Sequence, residues 1–271
     1  LTESFKKSDV EILVATMHRD TLNFLAPMFS SAPFYNYSIL IINQTTEQNI
    51  LSSDYPSVRV INSFETGLSK SRNLALLNAT GKLCVITDDD VEFKPDFDTH
   101  IINAFNQNRD AAVITFRTER ALGVLYKKYP QQRKIATGKL ERLNVMSIEM
   151  VLNTALVKSR FNDNFGLGAR FNMGEEAVFI NDVYAADGKI IMEPQIIVTH
   201  IHEDTHQKTD VLKKYYTQGA VLNAVFKNNY LWWIFLKLCY ELKNRQVTIK
   251  QVPLAVKVAI KGKNDYNKIL K

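Results

Sequence analysis

Cysteine is nearly absent: the 271 residues hold only Cys84, inside an apolar run, and Cys239, inside an aromatic one. Two cysteines so far apart give neither a disulfide framework nor a zinc-ligand spacing, so a reducing compartment such as the cytoplasm is expected. Glycine and proline are also sparse, at 10 and 7 residues, which excludes collagen-like and low-complexity chains. Long hydrophobic runs are missing too. The longest, Tyr230-Leu-Trp-Trp-Ile-Phe-Leu236, is stopped by Lys237, far short of the ~20 residues that span a bilayer. The first ten positions are polar rather than signal-like, so no secretion signal is expected, and the short apolar runs predict no transmembrane helix.

What is present fits a globular protein. Hydrophobic residues make up 46% and charged residues 23% of the chain, enough for one large α/β domain with a smaller helical extension. The formal net charge of +6 suits nucleic acid, an anionic membrane surface or a phosphorylated small molecule, and does not choose among them.

Buried strands and helices alternate along the first half. Short apolar runs with β-branched residues occupy 11–16, 38–43, 58–61, 82–87 and 111–116, with helical stretches at 21–30, 68–77 and 97–105. This is the pattern of a mostly parallel α/β sheet, whose ligands bind beyond the carboxyl ends of the strands. Residues 126–143 are polar and basic with few apolar anchors and read as a mobile connection or lid. A strand at 196–202 closes this region. Beyond residue 207, apolar positions recur at helical spacing, as in Leu212, Tyr215, Tyr216 and Leu222.

Asp88-Asp89-Asp90 follows the strand at 82–87 directly. Three carboxylates at one strand end repel one another. A divalent cation such as Mg²⁺ or Mn²⁺ would relieve that repulsion and bridge the phosphates of a nucleotide; an acidic turn capping the next segment explains the triplet equally well. Its context adds information. Gly67-Leu-Ser-Lys-Ser-Arg-Asn73 opens the preceding helix, Gly174-Glu175-Glu176 opens a later one after the turn-rich stretch from Phe161 to Gly168, and Val198-Thr-His-Ile-His202 follows. In this order the motifs resemble the family 2 glycosyltransferases of the GT-A fold, over about residues 12–206.

The resemblance implies an α/β, Rossmann-like, mixed and mostly parallel sheet flanked by helices, with a C-terminal helical extension. Residues 1–206 would form the transferase domain, with a donor-binding half to about 116 and an acceptor-binding half from 117, and residues 207–271 the basic, aromatic-rich extension. It also implies roles. Ala15, Thr16 and Met17 would contact the nucleobase, as would Asn43, where the family usually has Asp. Lys70 and Arg72 would contact base or phosphate. Asp88 would reach the ribose or the metal, Asp89 is interposed, and Asp90 would ligate Mn²⁺ or Mg²⁺. Glu176 would be the catalytic base and Glu175 an acceptor-orienting partner. His200 would bind metal or diphosphate; His202, on the same strand face, is a second candidate ligand, and His206 falls in a surface loop.

The function expected is inverting transfer of a sugar from a nucleotide-diphosphate-sugar to a hydroxyl of a glycan or lipid-linked saccharide. A UDP-sugar is the first candidate, with GDP- and dTDP-sugars as alternatives. A metal-dependent phosphohydrolase and a catalytically inactive glycan-binding module are the competing readings. No nucleic-acid partner is expected. Lysines interleaved with Trp232, Trp233 and Phe235 suit the headgroups of an anionic membrane, while helices packed on the catalytic domain are the alternative and the better explanation of Leu231 to Leu242. A cytoplasmic protein is expected, with peripheral membrane contact as a hypothesis.

Overall fold

The computed structural model describes residues 3–201 and 211–270. Strands β1 (Val10–Met17), β2 (Ser38–Gln44) and β3 (Val58–Ser63) pair in parallel. Helices α1 (Leu25–Met28) and α2 (Leu68–Asn78) lie in the connections, and β4 (Leu83–Asp88) runs parallel to the free side of β1. The apolar runs of these strands are continuous because both sheet faces are covered. Ile12, Val14, Ile39 and Ile41 enter one core cluster, while Leu13, Leu40 and Ile42 enter another on the opposite face. Each fully buried side chain of this size contributes roughly 1.5–3 kcal/mol.

The next elements are β5 (Val91–Phe93), α3 (Phe97–Gln107), β6 (Ala111–Arg120), β7 (Lys134–Ile135), α4 (Lys139–Leu143), β8 (Met150–Asn153), α5 (Glu175–Ala185) and β9 (Lys189–His200). Across the sheet the order is β3-β2-β1-β4-β8-β6-β9-β5, with β7 also on β9. The long pairings are parallel. β8 is antiparallel to both β4 and β6, and β5 and β7 are antiparallel to β9. The sheet is thus mixed and mostly parallel, flanked by helices, as expected.

Three local expectations are corrected. The last strand starts at Lys189, well before 196, because a register shift opposite Thr115 and Arg117 accommodates the polar Glu193-Pro194 step. It ends at His200; His202 and His206 lie outside the described residues, as does the boundary expected at 206/207. The segment 126–143 is anchored rather than a free lid. The Tyr129 hydroxyl donates to Glu149 (2.6 Å), Lys127 pairs with Glu149 (2.8 Å), and the buried Arg142 donates to the carbonyls of Ala136 (2.9 Å) and Thr137 (2.7 Å). These three side chains find their partners within the protein, while Lys128 and residues 131–134 remain exposed.

The helical region comprises α6 (Val211–Phe226), α7 (Tyr230–Lys243) and α8 (Val252–Ile269). Ala220 and Val221 of α6 and Tyr266 of α8 share a core cluster with Phe165, Phe171 and Ala177, so these helices pack onto the wall that carries Glu175 and Glu176. Among the described residues no helix is long and apolar enough to cross a membrane. The crossing of α6 and α8 is close because both helices present glycine there. A Cβ at Gly219 would lie 2.0 Å from the Ala259 carbonyl oxygen, and one at Gly262 1.8 Å from that of Tyr216.

Gly→Ala inside a helix normally stabilises by about 0.5–1 kcal/mol. Here Gly262→Ala is expected to destabilise, by about 1–3 kcal/mol through overpacking, read as a lower urea midpoint. A midpoint at or above that of the unchanged protein would contradict this crossing.

Candidate active site

The carboxyl ends of β1 and β4 border a cavity of about 300 Å³ that also meets Gln44, Gly67 and Leu167. Asp88 faces it from the last position of β4, opposite Ala15 in the β1 register. Each member of the aspartate triplet has a different partner. Asp88 accepts from Arg72 Nη2 at 3.0 and 3.3 Å. Asp89 accepts from Thr16 Oγ1 (2.5 Å) and from Arg19 Nε (2.8 Å) and Nη2 (2.7 Å). Asp90 lies 3.4 Å from His200 Nε2, brought there by the pairing of Val91 with His200. The repulsion within the triplet is therefore relieved largely by the protein's own cations.

Arg72 is the centre of the arrangement. Only 2% of its side chain is exposed, yet it meets Asp88, Glu175 Oε1 (3.0 Å), Glu176 Oε1 (3.7 Å) and Ser147 Oγ (2.7 Å), with Phe161 beneath it. Burial disfavours its charge, but Asp88, Glu176 and Glu175 outweigh that and hold the guanidinium above its ordinary pKa. Asp88 is pushed upward by burial and by Asp90, against the pull of Arg72. Arg72 thus holds carboxylates from β4 and from α5.

The rest of the Gly67-to-Asn73 motif forms a clasp on the turn-rich loop ahead of α5. Gly67 adopts φ +131°, a conformation that favours glycine, and donates its N–H to Gln44 Oε1 (2.7 Å). The Leu68 N–H donates to the Leu167 carbonyl (2.9 Å), and Ser69 Oγ to that of Phe165 (2.7 Å). Asn73 donates to the Phe161 carbonyl and accepts from the Phe161 N–H, both at 2.8 Å.

Glu175 and Glu176 occupy the first turn of α5, where the helix dipole favours carboxylates. Glu175 is buried against Arg72, whereas 22% of the Glu176 side chain is exposed, enough to meet a substrate. Burial, then the Glu175 carboxylate beside it, pushes the Glu176 carboxyl up to about 7, with Arg72 opposing. A carboxyl poised there can take a proton near neutral pH.

The structure brings Ala15, Thr16, Met17 and Asp88–Asp90 together at the cavity. Asn43 is fully buried instead; it accepts from the Arg19 N–H (3.1 Å) and donates to the Arg19 carbonyl (2.9 Å) and to Asn62 Oδ1 (3.0 Å), while its neighbour Gln44 borders the cavity. Lys70 is exposed and pairs with Glu65 (2.7 Å). Arg72 directs its Nη1 and Nη2 donors at the side chains named above. Arg19, Gln44 and Ser147 went unnoticed in sequence. Strand alternation could have flagged Gln44, since neighbours at a strand end face opposite ways; Arg19 and Ser147 carry no local signal.

Among the described residues no group of three or more His, Cys, Asp or Glu could hold a metal alone. The Asp90–His200 pair supplies one carboxylate and one imidazole. That donor set fits a cation whose other ligands are substrate phosphate oxygens and water.

Residues 12–180 match Glycosyl transferase family 2. The chain belongs to this family. As a member it is a nucleotide-sugar glycosyltransferase, which sets aside the phosphohydrolase alternative. Its fold is similar to that of Staphylococcus aureus TarS residues 1–349 in complex with UDP-GlcNAc, at 15% identity and TM-score 0.60 over 95% of this chain and 80% of that one. The complex of the same protein with UDP gives 15% identity and TM-score 0.59 over 93% and 80%. A mycobacterial protein is similar at 12% identity and TM-score 0.53, over 80% of this chain and 74% of that one. No curated protein matches the chain. The resemblance to family 2 and the expected fold class are borne out.

The hydrogen bonds of Asn43 explain an amide where the family usually has an acid: both groups it donates to are acceptors. Asn43→Asp is expected to cost about 1–3 kcal/mol by setting a carboxylate against them. An unchanged urea midpoint would show that these bonds do not matter.

Proposed function

We propose that the protein transfers a sugar from a nucleoside-diphosphate-sugar, a UDP-sugar first among the candidates and GDP- or dTDP-sugars next, to a hydroxyl of a glycan or lipid-linked saccharide, with inversion. One observation carries the reading. A single buried guanidinium joins Asp88, on the wall of the cavity, to Glu176, the carboxyl raised to about 7.

Ala15, Thr16, Met17 and Gln44 bound the end of the cavity where the base and ribose fit, with Asp88 beside the ribose. Asn43 acts behind them by fixing the loop at Arg19, and Asp89 holds the Arg19 side chain. Glu175 is a positioning residue that fixes the start of α5 through Arg72. Glu176 accepts the proton of the acceptor hydroxyl as its oxygen bonds to the anomeric carbon and the bond from that carbon to the diphosphate breaks, which inverts the configuration. No covalent enzyme intermediate is needed. Asp90 and His200 would hold Mn²⁺ or Mg²⁺, which when bound would help offset the charge of the leaving diphosphate. Asp88 keeps its pairing with Arg72, and His202 is a further candidate ligand outside the described residues. A cytoplasmic site of action, with peripheral contact to the anionic inner face of a membrane, accompanies this reading; the basic helical region supports it.

Glu176→Gln is expected to lower transfer at least ~1,000-fold while nucleotide binding persists, measured by product formation and by thermal shift with UDP, GDP and dTDP ligands. In the unchanged enzyme kcat/KM should climb with pH as the base ionises and level off above about 7. Near-normal turnover of the variant would remove Glu176 as the base. If both proteins bind nucleotide but neither transfers nor hydrolyses a nucleotide-sugar, the inactive glycan-binding module becomes the better reading.

Chelation by EDTA should stop transfer, and Mn²⁺ or Mg²⁺ should restore it, with Asp90→Asn requiring roughly tenfold more metal. Undiminished transfer in EDTA would overturn the metal assignment.

A further inference from the structure

Helix α7 is apolar on both sides. Tyr230, Ile234 and Leu238 are buried against the neighbouring helices. The opposite face presents Leu231, Trp232 (58% exposed), Phe235 (52%), Leu236 and Tyr240 (60%) to solvent, with the Trp232 and Phe235 rings stacked at 5.5 Å. A helix on a soluble protein surface ordinarily shows polar residues there.

The charge around this face is of one sign. Residues 211–270 hold eleven Lys and Arg against two acids, Glu241 and Asp265. Neither acid offsets the surface charge. Glu241 is fully buried between Lys214 (2.7 Å), Lys237 (3.1 Å) and the Tyr215 hydroxyl (2.8 Å). Asp265 is enclosed by Arg170 (3.2 Å), the Tyr216 hydroxyl (3.0 Å) and Lys268 (3.5 Å). Exposed Lys227 precedes α7, and exposed Lys243, Arg245 and Lys250 follow along its C-terminal end. The apolar face is therefore bracketed by cations at both ends.

We infer that α7 lies in the headgroup region of an anionic lipid bilayer, with Trp232, Phe235 and Tyr240 entering the interface and Lys243, Arg245 and Lys250 on the lipid phosphates. An interfacial helix combines this kind of apolar face with flanking cations. A second copy of the same face would set cation against cation. Leu236 also borders a groove of about 390 Å³ that reaches Met173 and Gly174, next to Glu175, so the docked face adjoins the acceptor side of the site. The inference specifies the membrane contact of the proposed function and rests on that reading for its purpose.

Trp233→Phe leaves Trp232 as the one remaining tryptophan of the two in the chain. With this variant, vesicles of phosphatidylcholine containing phosphatidylglycerol should shift Trp232 emission to the blue and sediment the protein, and pure phosphatidylcholine should do neither. Joint reversal of Lys243, Arg245 and Lys250 to Glu should weaken sedimentation more than roughly tenfold, and so should Trp232→Ser with Phe235→Ser. Hydrolysis of the nucleotide-sugar in solution by both variants should stay unchanged. Absence of shift and sedimentation with anionic vesicles overturns the inference, as does binding that ignores the charge reversal. Self-association on gel filtration that the serine variant abolishes, without vesicle binding, would assign the face to a second copy instead. Failure of the Trp233→Phe protein to bind anionic vesicles while its nucleotide-sugar turnover is intact defeats the docking alone; absence of turnover in the unchanged enzyme defeats the transferase reading.

Discussion

The buried guanidinium of Arg72 is the charge on which the site depends. Withdrawing a cation from water costs several kcal/mol in effective terms and is tolerable only with well-placed counter-charges. Here Asp88 comes from β4, Glu175 and Glu176 from α5, and a hydroxyl from Ser147 just before β8. The planar fork of Arg can meet all of these at once; a lysine ammonium is a point charge on a flexible stem. The charge thereby fixes where β4 ends relative to the helix that carries the proposed base.

The same constraint organises the surroundings. The Gly67-to-Asn73 segment delivers Arg72 to the centre, and its flanking residues hold the 161–168 loop by side-chain and backbone hydrogen bonds. The loop then leads into the start of α5. Asp88 is held by Arg72 and Asp89 by Arg19 and Thr16, which leaves Asp90 with His200 at the far edge of the triplet. One acidic run thus serves three environments. The raised carboxyl of Glu176 follows from the same crowding, because one cation is shared among three acids.

The fold was legible wherever burial is two-sided. Runs such as 38–43 and 82–87 need no partner to be read as strands, because both their faces enter the core. β5 and β7 are too short for any periodicity, and Glu193-Pro194 hid the first half of β9. Segment 126–143 looked like a lid because its lysines and arginines are polar in sequence. Their partners, Glu149 and the carbonyls near 136, cannot be paired with them until the chain is folded. The site was legible as a set of motifs, and less so as a set of roles. Arg72 reads as a phosphate ligand by type, but its surroundings are carboxylates from 16 and 103 residues away. Asn43 and Gln44 differ by one position, and only the geometry shows which of them borders the cavity.

A double-mutant cycle on Arg72→Met and Glu175→Gln, followed by urea unfolding, probes this dependence most directly. Removing Arg72 alone should leave buried carboxylates uncompensated, at a cost of about 3–5 kcal/mol. Neutralising Glu175 in the same protein should recover part of that loss, with a coupling energy of at least about 1 kcal/mol. Strict additivity of the two changes would contradict a site built on the buried guanidinium.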